Sequence, residues 1–448
     1  MVHVFICRGR YFALDVESGS LHEVDEPVFD LLALNETGWS SQTPDSLNGK
    51  HGTDTIQEAR ADIETLIEEG LLYTKAPSTK YEGAPDVFKA LCLHISHACN
   101  LKCAYCFAGQ GNFGGQAELM RKETAKKALD FLVQNSGRRK HLEVDFFGGE
   151  PLLNFDAVKE TVAHGRALEK QFDKKISFTI TTNGLNMDKG TIGYINAEMD
   201  NVVVSIDGRK QVHDAMRPTC SGGGSFDTIV QNAKALVRER TGSYYIRGTF
   251  TRENPDFSND VLFMADEGFP SLSIEPVVGY DEEPYSIRDE ELPRVLEEYE
   301  TLVGHFVSRK KEGRPFQFFH FMLDDGNGPC YKKRVKGCGA GYEYAAVAPD
   351  GAIYPCHQFV GDRDFIIGHV DCGITSRPLT EKFAACNILN KPACRSCWAK
   401  YYCGGGCAAN AYKFNHDLSI PYQTGCAMQK KRIECGLYAL AMEKEAAE

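Results

Sequence analysis

The central part of the chain, from about residue 90 to residue 312, alternates between two hydrophobic patterns. Short, nearly continuous apolar runs rich in β-branched residues predict strands covered on both faces. Between them, apolar residues recur at helical spacing, as in Lys122–Gln134, Phe155–Gln171 and Phe226–Arg238. Six such units in series predict a parallel α/β sheet, either an open doubly wound sheet or a partial barrel. The predicted strands are Leu91–Ser96, Leu142–Phe147, Ile176–Thr181, Val202–Ile206, Tyr245–Phe250 and Leu272–Val277.

The two ends of the chain show different patterns. The first 80 residues predict a small mixed unit, with strands at Val2–Ile6, Tyr11–Leu14 and Leu71–Tyr73 and helices near Glu26–Leu34 and at Thr53–Glu69. Pro and Gly residues in Thr74–Pro85 predict a linker. After about residue 316, glycine, cysteine and aromatic residues dominate, with short strands such as Tyr344–Val347. The predicted domains are therefore 1–80, 85–315 and 316–448.

Charge and composition narrow the function classes. Of 448 residues, 50 are Lys or Arg and 62 are Asp or Glu, so the net charge is -12. An acidic chain without a basic block is a poor candidate for binding nucleic acid or an anionic membrane. No apolar run approaches the ~18 residues of a membrane helix, and no secretory signal is evident, so we expect a cytoplasmic protein. In that compartment, 17 clustered cysteines favour metal binding over disulfides.

Three cysteines follow the first predicted strand of the central region, in the spacing C-x3-C-x2-C: Cys99, Cys103 and Cys106. Three thiolates on one short loop suit an iron–sulfur cluster. A four-iron cluster usually takes four cysteines, so one iron could remain open for a substrate. A zinc site and three incidental thiols are the alternatives, although zinc sites favour paired C-x2-C elements and four ligands.

Polar motifs lie at or after the ends of the next predicted strands. They are Gly148-Gly149-Glu150-Pro151, Thr182-Asn183-Gly184, Ser205-Ile206-Asp207-Gly208 and His213-Asp214-Ala215-Met216-Arg217-Pro218. Each alone predicts a turn at a strand end. In parallel α/β folds, however, chemistry sits at the C-terminal ends of the strands.

Together with the cysteine loop, these motifs resemble the radical S-adenosylmethionine (SAM) superfamily. The resemblance implies a partial (β/α)6 barrel and a 4Fe–4S cluster on Cys99, Cys103 and Cys106, whose open iron binds SAM. One electron from that cluster would cleave SAM to methionine and a 5′-deoxyadenosyl radical. The implied SAM contacts are Tyr105, Gly148, Gly149, Glu150, Pro151, Thr182, Asn183, Ser205, Asp207 and Arg217.

The C-terminal cysteines resemble the SPASM domain of radical SAM peptide-modifying enzymes. The matching pattern is Cys394-x2-Cys397-x5-Cys403-x3-Cys407, preceded by Cys338 and Gly351-x4-Cys356 and followed by Cys426. The resemblance implies two auxiliary 4Fe–4S clusters, the first on Cys338, Cys356 and Cys407 and the second on Cys394, Cys397, Cys403 and Cys426. A structural zinc site on Cys394, Cys397, Cys403 and Cys407 is the alternative.

Two positions depart from the related sulfatase-maturing enzymes. Those enzymes have a further cysteine shortly before the Cys338 position, and the nearest candidate here is Cys330, eight residues upstream. If Cys330 does not bind, the first auxiliary cluster has an open iron that a substrate thiolate could fill. Those enzymes also follow the Cys356 position with an aspartate base, where this chain has His357. His357 is the candidate catalytic base, and a hydrogen-bonding role is the alternative.

The N-terminal unit resembles the winged-helix-like peptide-recognition element of ribosomal-peptide maturases, which would bind a leader by strand addition. A DNA-binding winged helix is disfavoured by the acidic residues Glu58, Asp62, Glu64, Glu68 and Glu69. The whole chain resembles the SCIFF-peptide maturases. This implies formation of a thioether between a cysteine sulfur and an α-carbon of a cysteine-rich precursor peptide, with a flavodoxin or ferredoxin as electron donor. Sulfatase maturation, forming formylglycine, and a non-catalytic zinc-binding peptide carrier are the alternatives.

Overall fold

The computed structural model describes residues 1–40, 42, 44–76, 87–323 and 331–446. Its N-terminal unit is a three-stranded antiparallel sheet in the order β1-β2-β3, followed by three helices. The sheet and helices bury a small core of their own, which includes Val28, Leu31 and Ile63. The elements are β1 (Val2–Cys7), β2 (Arg10–Asp15), β3 (Leu21–Val24), α1 (Glu26–Ala33), α2 (Asp45–His51) and α3 (Thr53–Glu68).

The predicted strand at Leu71–Tyr73 is wrong, and β3 supplies the third strand instead. The backbone N–H groups of Leu71 and Leu72 both donate to the Leu66 carbonyl, so the chain closes the end of α3 rather than joining the sheet. Leu72 is buried in the small core, which explains why this stretch is apolar. Part of the predicted linker, residues 77–85, lies outside the described residues.

The central region forms a sheet of parallel strands connected by helices, and all six predicted strands are present. The strands are β4 (Ala90–Ser96), β5 (His141–Gly148), β6 (Lys175–Thr182), β7 (Asn201–Ser205), β8 (Ser243–Phe250) and β9 (Ser271–Pro276). The helices are α4 (Lys122–Gln134), α5 (Phe155–Phe172), α6 (Lys189–Glu198), α7 (Lys210–Met216), α8 (Phe226–Arg238), α9 (Phe257–Asp266) and α10 (Leu292–Lys311).

Among the six strands β4 to β9, only β4 is buried along its whole length; β5 and β6 alternate between buried and more exposed positions. Their buried side chains, such as Phe146 and Phe178, pack in the main core with the helices, and Gly165 of α5 fits directly against the Phe178 ring. The other face carries polar residues such as Asp145 and Thr181. The expectation of strands covered on both faces therefore fails for β5 and β6, since one face lines the barrel interior.

The C-terminal region continues the same sheet, whose full order is β10-β9-β8-β7-β6-β5-β4-β11-β12-β13-β14. β11 pairs in parallel with β4, and the last three strands are antiparallel. The strands are β10 (Gln317–Phe318), β11 (Tyr344–Val347), β12 (Ala352–Tyr354), β13 (Gly368–His369) and β14 (Gly373–Ile374). Short 3-10 helices span Pro151–Asn154, Phe319–Phe321, His357–Phe359 and Arg363–Phe365.

A second buried cluster, including Phe359, Phe365 and Phe383, supports this region, which is therefore more than a set of loops. Its helices are α11 (Tyr331–Lys336), α12 (Arg377–Ala384), α13 (Pro392–Arg395), α14 (Lys400–Cys403), α15 (Ala408–Asn415) and α16 (Gln423–Glu445). Within the described ranges, no helix is sufficiently long and apolar to cross a membrane.

Candidate active site

The cysteine loop that follows β4 is held in place by the segment after α7. The Lys102 N–H donates to the Pro218 carbonyl at 2.8 Å, and the Ala104 N–H donates to the Met216 carbonyl at 2.9 Å. The Cys220 N–H reaches the Asn100 carbonyl at 3.3 Å. The predicted motif around Arg217 therefore forms one wall of the cysteine loop.

Glycines allow the end of β5 to press against the start of this loop. The Gly149 N–H donates to the Ser96 carbonyl at 2.7 Å, and the Glu150 N–H donates to the Ala98 carbonyl at 2.9 Å. A Cβ at Gly149 would lie 2.3 Å from the Ala98 oxygen, so no larger residue fits this approach. Gly111 completes the cradle, because its Cβ would lie 2.9 Å from that of Cys99.

Glu150 joins the ends of β5 and β6. Its buried carboxylate accepts hydrogen bonds from the Leu152 N–H at 3.0 Å, the Thr182 hydroxyl at 2.7 Å and the Asn183 N–H at 2.8 Å. Burial raises the pKa of Glu150, and these hydrogen bonds oppose that rise. The Asn183 amide lies 3.8 Å from the Cys99 sulfur and donates to Asn100 at 2.7 Å, so the predicted motifs on β5 and β6 meet at the cysteine loop.

Asp207, which follows β7, binds the residues on the other side of the cysteine loop from Glu150. Its carboxylate accepts from the Tyr105 hydroxyl at 2.6 Å, the Arg217 Nε at 3.0 Å and the Thr249 N–H at 2.9 Å. The Arg217 guanidinium lies over the Tyr105 ring, 5.4 Å from its centre. This group sits beside Cys103: burial raises the pKa of Cys103 to about 11, while the Arg217 charge lowers it.

The three loop thiols are partly buried and lie within electrostatic reach of one another. Burial raises the pKa of Cys99 to about 12, and Cys103 and Cys106 add to that rise. Among the described residues, no three His, Cys, Asp or Glu side chains are placed to hold a single metal ion. A four-iron cluster binds each thiolate on a separate iron and therefore accepts wider spacing. The half-buried thiols and the glycine cradle fit such a cluster.

The structure brings the C-terminal cysteines together in two sets. Burial raises the pKa of Cys356, and the nearby Cys407 and Cys338 add to that rise. Likewise, burial followed by Cys403, Cys426 and Cys397 raises the pKa of Cys394 to about 11. A cavity of about 70 Å³ is lined by all four thiols of the second group. We call these sets group I (Cys338, Cys356, Cys407) and group II (Cys394, Cys397, Cys403, Cys426); Cys330 lies outside the described residues.

His357 lies where group I meets the barrel. Its Nδ1 is 3.2 Å from the Tyr344 hydroxyl of β11, and its ring centre is 5.8 Å from that of Phe107, the residue after Cys106. Burial lowers the pKa of His357 to about 4, with a further contribution from Arg247. The imidazole is therefore neutral at physiological pH and can accept a proton or a hydrogen bond.

Two of the predicted SAM contacts, Ser205 and Pro151, interact with residues other than the three thiols. Two polar residues inside the barrel, Asp145 and Arg247, were not among the predicted site residues. Ser205 ends β7 within the ladder to β8, and Pro151 begins the short helix after Glu150. Inside the barrel, burial raises the pKa of Asp145 to about 7, and Arg247 opposes this rise. The signal that could have found both residues is their alternation with buried apolar positions along β5 and β8.

The N-terminal unit packs directly on the loop that carries group II. Glu17 accepts hydrogen bonds from the Lys400 ammonium and the Tyr401 hydroxyl, both at 2.7 Å. The His3 ring stacks on Trp398, with 3.8 Å between ring centres. Trp398 and Tyr401 lie between Cys397 and Cys403, so the two features predicted at opposite ends of the chain are in contact.

The radical SAM superfamily model matches residues 93–256, which contain the cysteine loop and all four polar motifs. This segment is a radical SAM domain. The chain is 25% identical over 344 residues to a cysteine-type anaerobic sulfatase-maturating enzyme of Clostridium novyi, covering 70% of this chain and 86% of that protein.

Two solved structures share the fold of this chain. One is native anSMEcpe with bound AdoMet and Cp18Cys peptide, with a TM-score of 0.62 and 20% identity, covering 80% of this chain and 99% of that one. The other is Streptococcus suis SuiB bound to its precursor peptide SuiA, with a TM-score of 0.54 and 18% identity. The SuiB match covers 95% of this chain and 98% of that one, and so extends over regions beyond the radical SAM domain.

Proposed function

We propose that this radical SAM protein is a peptide maturase that joins a cysteine sulfur of its substrate to an α-carbon of the same peptide. A SAM-binding 4Fe–4S cluster on Cys99, Cys103 and Cys106 would supply the 5′-deoxyadenosyl radical that takes the α-hydrogen. The deprotonated cysteine sulfur would then bond to the α-carbon, and the one electron left over would pass to the auxiliary clusters. The observation that carries the proposal is group I. It offers three thiols beside the barrel, with Cys338 and Cys407 exposed and Cys356 buried.

An incompletely ligated auxiliary cluster at group I would accept a thiolate of the peptide as its missing ligand. Cys356 lies within electrostatic reach of Cys92 on β4, so group I adjoins the barrel wall. A peptide cysteine bound there would be held next to the interior where hydrogen removal takes place. The chain's role is thus to bring two atoms of one peptide together and to exclude water.

The neutral imidazole of His357 suits it to accept a hydrogen bond from the incoming thiol, since its lowered pKa makes it a weak base. It contacts Tyr344 and the aromatic rings of Phe107 and Phe147, which separate it from bulk water. Replacing His357 with Asn should lower crosslinking while leaving SAM cleavage without peptide intact. If both rates fall together, His357 instead supports the folded site.

The N-terminal unit would hold the leader of the peptide by adding a strand to its sheet. Its contacts with Trp398, Lys400 and Tyr401 place the unit on the group II loop. The likeness to SuiB, which was solved with its precursor peptide, supports a peptide substrate. Deleting the leader from a substrate should therefore weaken binding without changing the chemistry at the core peptide.

Product mass tests the reaction. With SAM, a reductant and cysteine-rich candidate precursor peptides from the same genome, we expect a product lighter by two hydrogen atoms that retains its sulfur and has lost one alkylatable thiol. SAM cleavage in the presence of such a peptide, with the peptide mass unchanged, would contradict thioether formation.

Sulfatase maturation is the second candidate, because the chain is similar to a cysteine-type maturase over 70% of its length. A sulfatase-derived cysteine peptide distinguishes the two reactions. Formylglycine formation removes the sulfur and leaves an aldehyde that reacts with hydrazines, whereas thioether formation does neither. Metal analysis tests the cofactors: we expect about twelve irons per chain on anaerobic purification, and zinc in their place would favour a peptide carrier.

A further inference from the structure

Lys391 is a buried cation that the proposed reaction has not used. Its side chain is only 1% exposed, although lysine is among the residues least often buried. It immediately precedes α13, which carries Cys394 of group II. Its ammonium donates to the Gly405 carbonyl at 3.0 Å. Gly405 lies between Cys403 of group II and Cys407 of group I, so the ammonium reaches the segment that joins the two groups.

The ammonium has no carboxylate partner. Among the residues that the structure describes, none of the Asp or Glu side chains comes within ion-pair distance of Lys391. A buried ammonium with a single carbonyl acceptor is unfavourable unless a negative charge lies nearby. The exposed carboxylate of Asp417 also senses the Lys391 charge, but water screens it. The buried anions available are the thiolates of the flanking cysteines. Lys391 precedes Cys394 by three residues, and its ammonium donates to the carbonyl of Gly405, between Cys403 and Cys407.

We propose that Lys391 is the shared counter-charge of the two auxiliary clusters and raises the reduction potential of both. The inference rests on the proposed function, because it requires clusters at both groups. The reason is electrostatic: adding an electron makes a thiolate-ligated cluster more negative, and a nearby buried cation stabilises the reduced form more than the oxidised form. One residue would thus raise the reduction potentials of two electron acceptors together.

A second lysine, Lys430, allows the effect of a charge near group II alone to be compared with that of Lys391. Lys430 lines the group II cavity together with Cys426 and is partly exposed. Water screens an exposed charge far more than a buried one. Replacing Lys430 should therefore change the reduction potential of the group II cluster alone, whereas replacing Lys391 should change the potentials of both clusters.

The test is an anaerobic redox titration followed by electron paramagnetic resonance, in full-length protein with Cys99, Cys103 and Cys106 changed to alanine. This background should leave about eight irons, all in auxiliary clusters. We expect Lys391→Met and Lys391→Gln to disfavour reduction of both clusters at least tenfold, which is 59 mV for one electron. Lys391→Arg should keep both reduction potentials close to those measured with Lys391. Lys170→Met, on the exposed face of α5, should change neither potential.

The glutamine variant separates charge from hydrogen bonding, because Gln can still donate to Gly405 but carries no charge. The proposal would be overturned if the cluster reduction potentials of Lys391→Gln matched those of the same triple-alanine background with Lys391 intact. If Met and Gln variants bind less iron while Arg binds the full amount, the requirement for charge is supported; loss of iron in all three overturns it. About four irons in the unmodified chain would overturn the proposed function as well, whereas full iron with unshifted potentials overturns this inference alone.

Discussion

Replacing Gly149 with alanine tests whether the close contact between β5 and the cysteine loop determines the site. The new methyl group would lie 2.3 Å from the Ala98 oxygen, 2.8 Å from the Ala98 carbonyl carbon and 3.1 Å from the Gly111 Cα. All three are backbone atoms, so no side-chain rotation can relieve the overlap. The backbone must separate, and that movement acts on the chain one residue before Cys99.

The structure sets the expected magnitude. Forcing a methyl group into a packed region costs about 1–3 kcal/mol. Separation also weakens two hydrogen bonds, from Gly149 to Ser96 and from Glu150 to Ala98, each contributing about 1 kcal/mol. Gly149→Ala should thus lower the free energy of unfolding by about 3–5 kcal/mol.

Urea unfolding of the metal-free chain measures this change, and iron content measures its effect on the loop. The matched control is Gly193→Ala in α6, where an added Cβ meets nothing within 4 Å. That variant should gain up to about 1 kcal/mol from helix propensity. Equal unfolding midpoints and iron contents for Gly149→Ala and the unmodified chain would refute the steric argument.

Three further predictions concern the polar groups around the cysteine loop. Asp207→Asn removes the charged partner of the nearly buried Arg217 and should cost about 3–5 kcal/mol in denaturant unfolding. The control Asp227→Asn, which breaks an exposed pair with Lys210, should leave the unfolding midpoint nearly unchanged. Burial lowers the pKa of His213 to about 4, so its contribution to stability is complete above pH ~6.5 and about 3 kcal/mol is lost as the pH falls to 4. The stability difference between the unmodified chain and His213→Gln should shrink over that interval, and a constant difference would contradict the assignment. Glu150→Gln places an amide N–H₂ against a backbone donor and should lower thermal stability by about 1–3 kcal/mol, whereas Glu123→Gln on α4 should have little effect.

The sequence predicted the six parallel strands because their apolar runs are short, β-branched and bounded by turns. It did not predict α16, whose buried residues, including Met428, Ile433 and Leu437, do not follow one helical stripe. That helix packs against α10 and the N-terminal unit on different sides, so no single apolar face is needed. The misplaced third strand has a related cause, since Leu72 is apolar through contact with a helix and not with a sheet.

The site motifs could be recognised in the sequence because cysteines and glycines at such spacings have few structural or chemical uses. Asp145 and Arg247 were missed as site residues because β5 and β8 were taken as strands covered by apolar layers on both faces, although both residues alternate with buried positions. Lys391 was equally hidden, since a lysine in a cysteine-rich loop is ordinarily exposed. Its burial is a property of the tertiary structure alone.

The pairing of β11 with β4 has a consequence for how the chain is made. β4 is among the first barrel strands to leave the ribosome, but its outer edge is covered only when Tyr344–Val347 arrives, about 250 residues later. At about 5–20 residues per second, that edge waits for about 10–50 s. An apolar strand with an open edge invites pairing with other chains, so a nascent chain stopped before residue 344 should aggregate instead of forming a smaller enzyme.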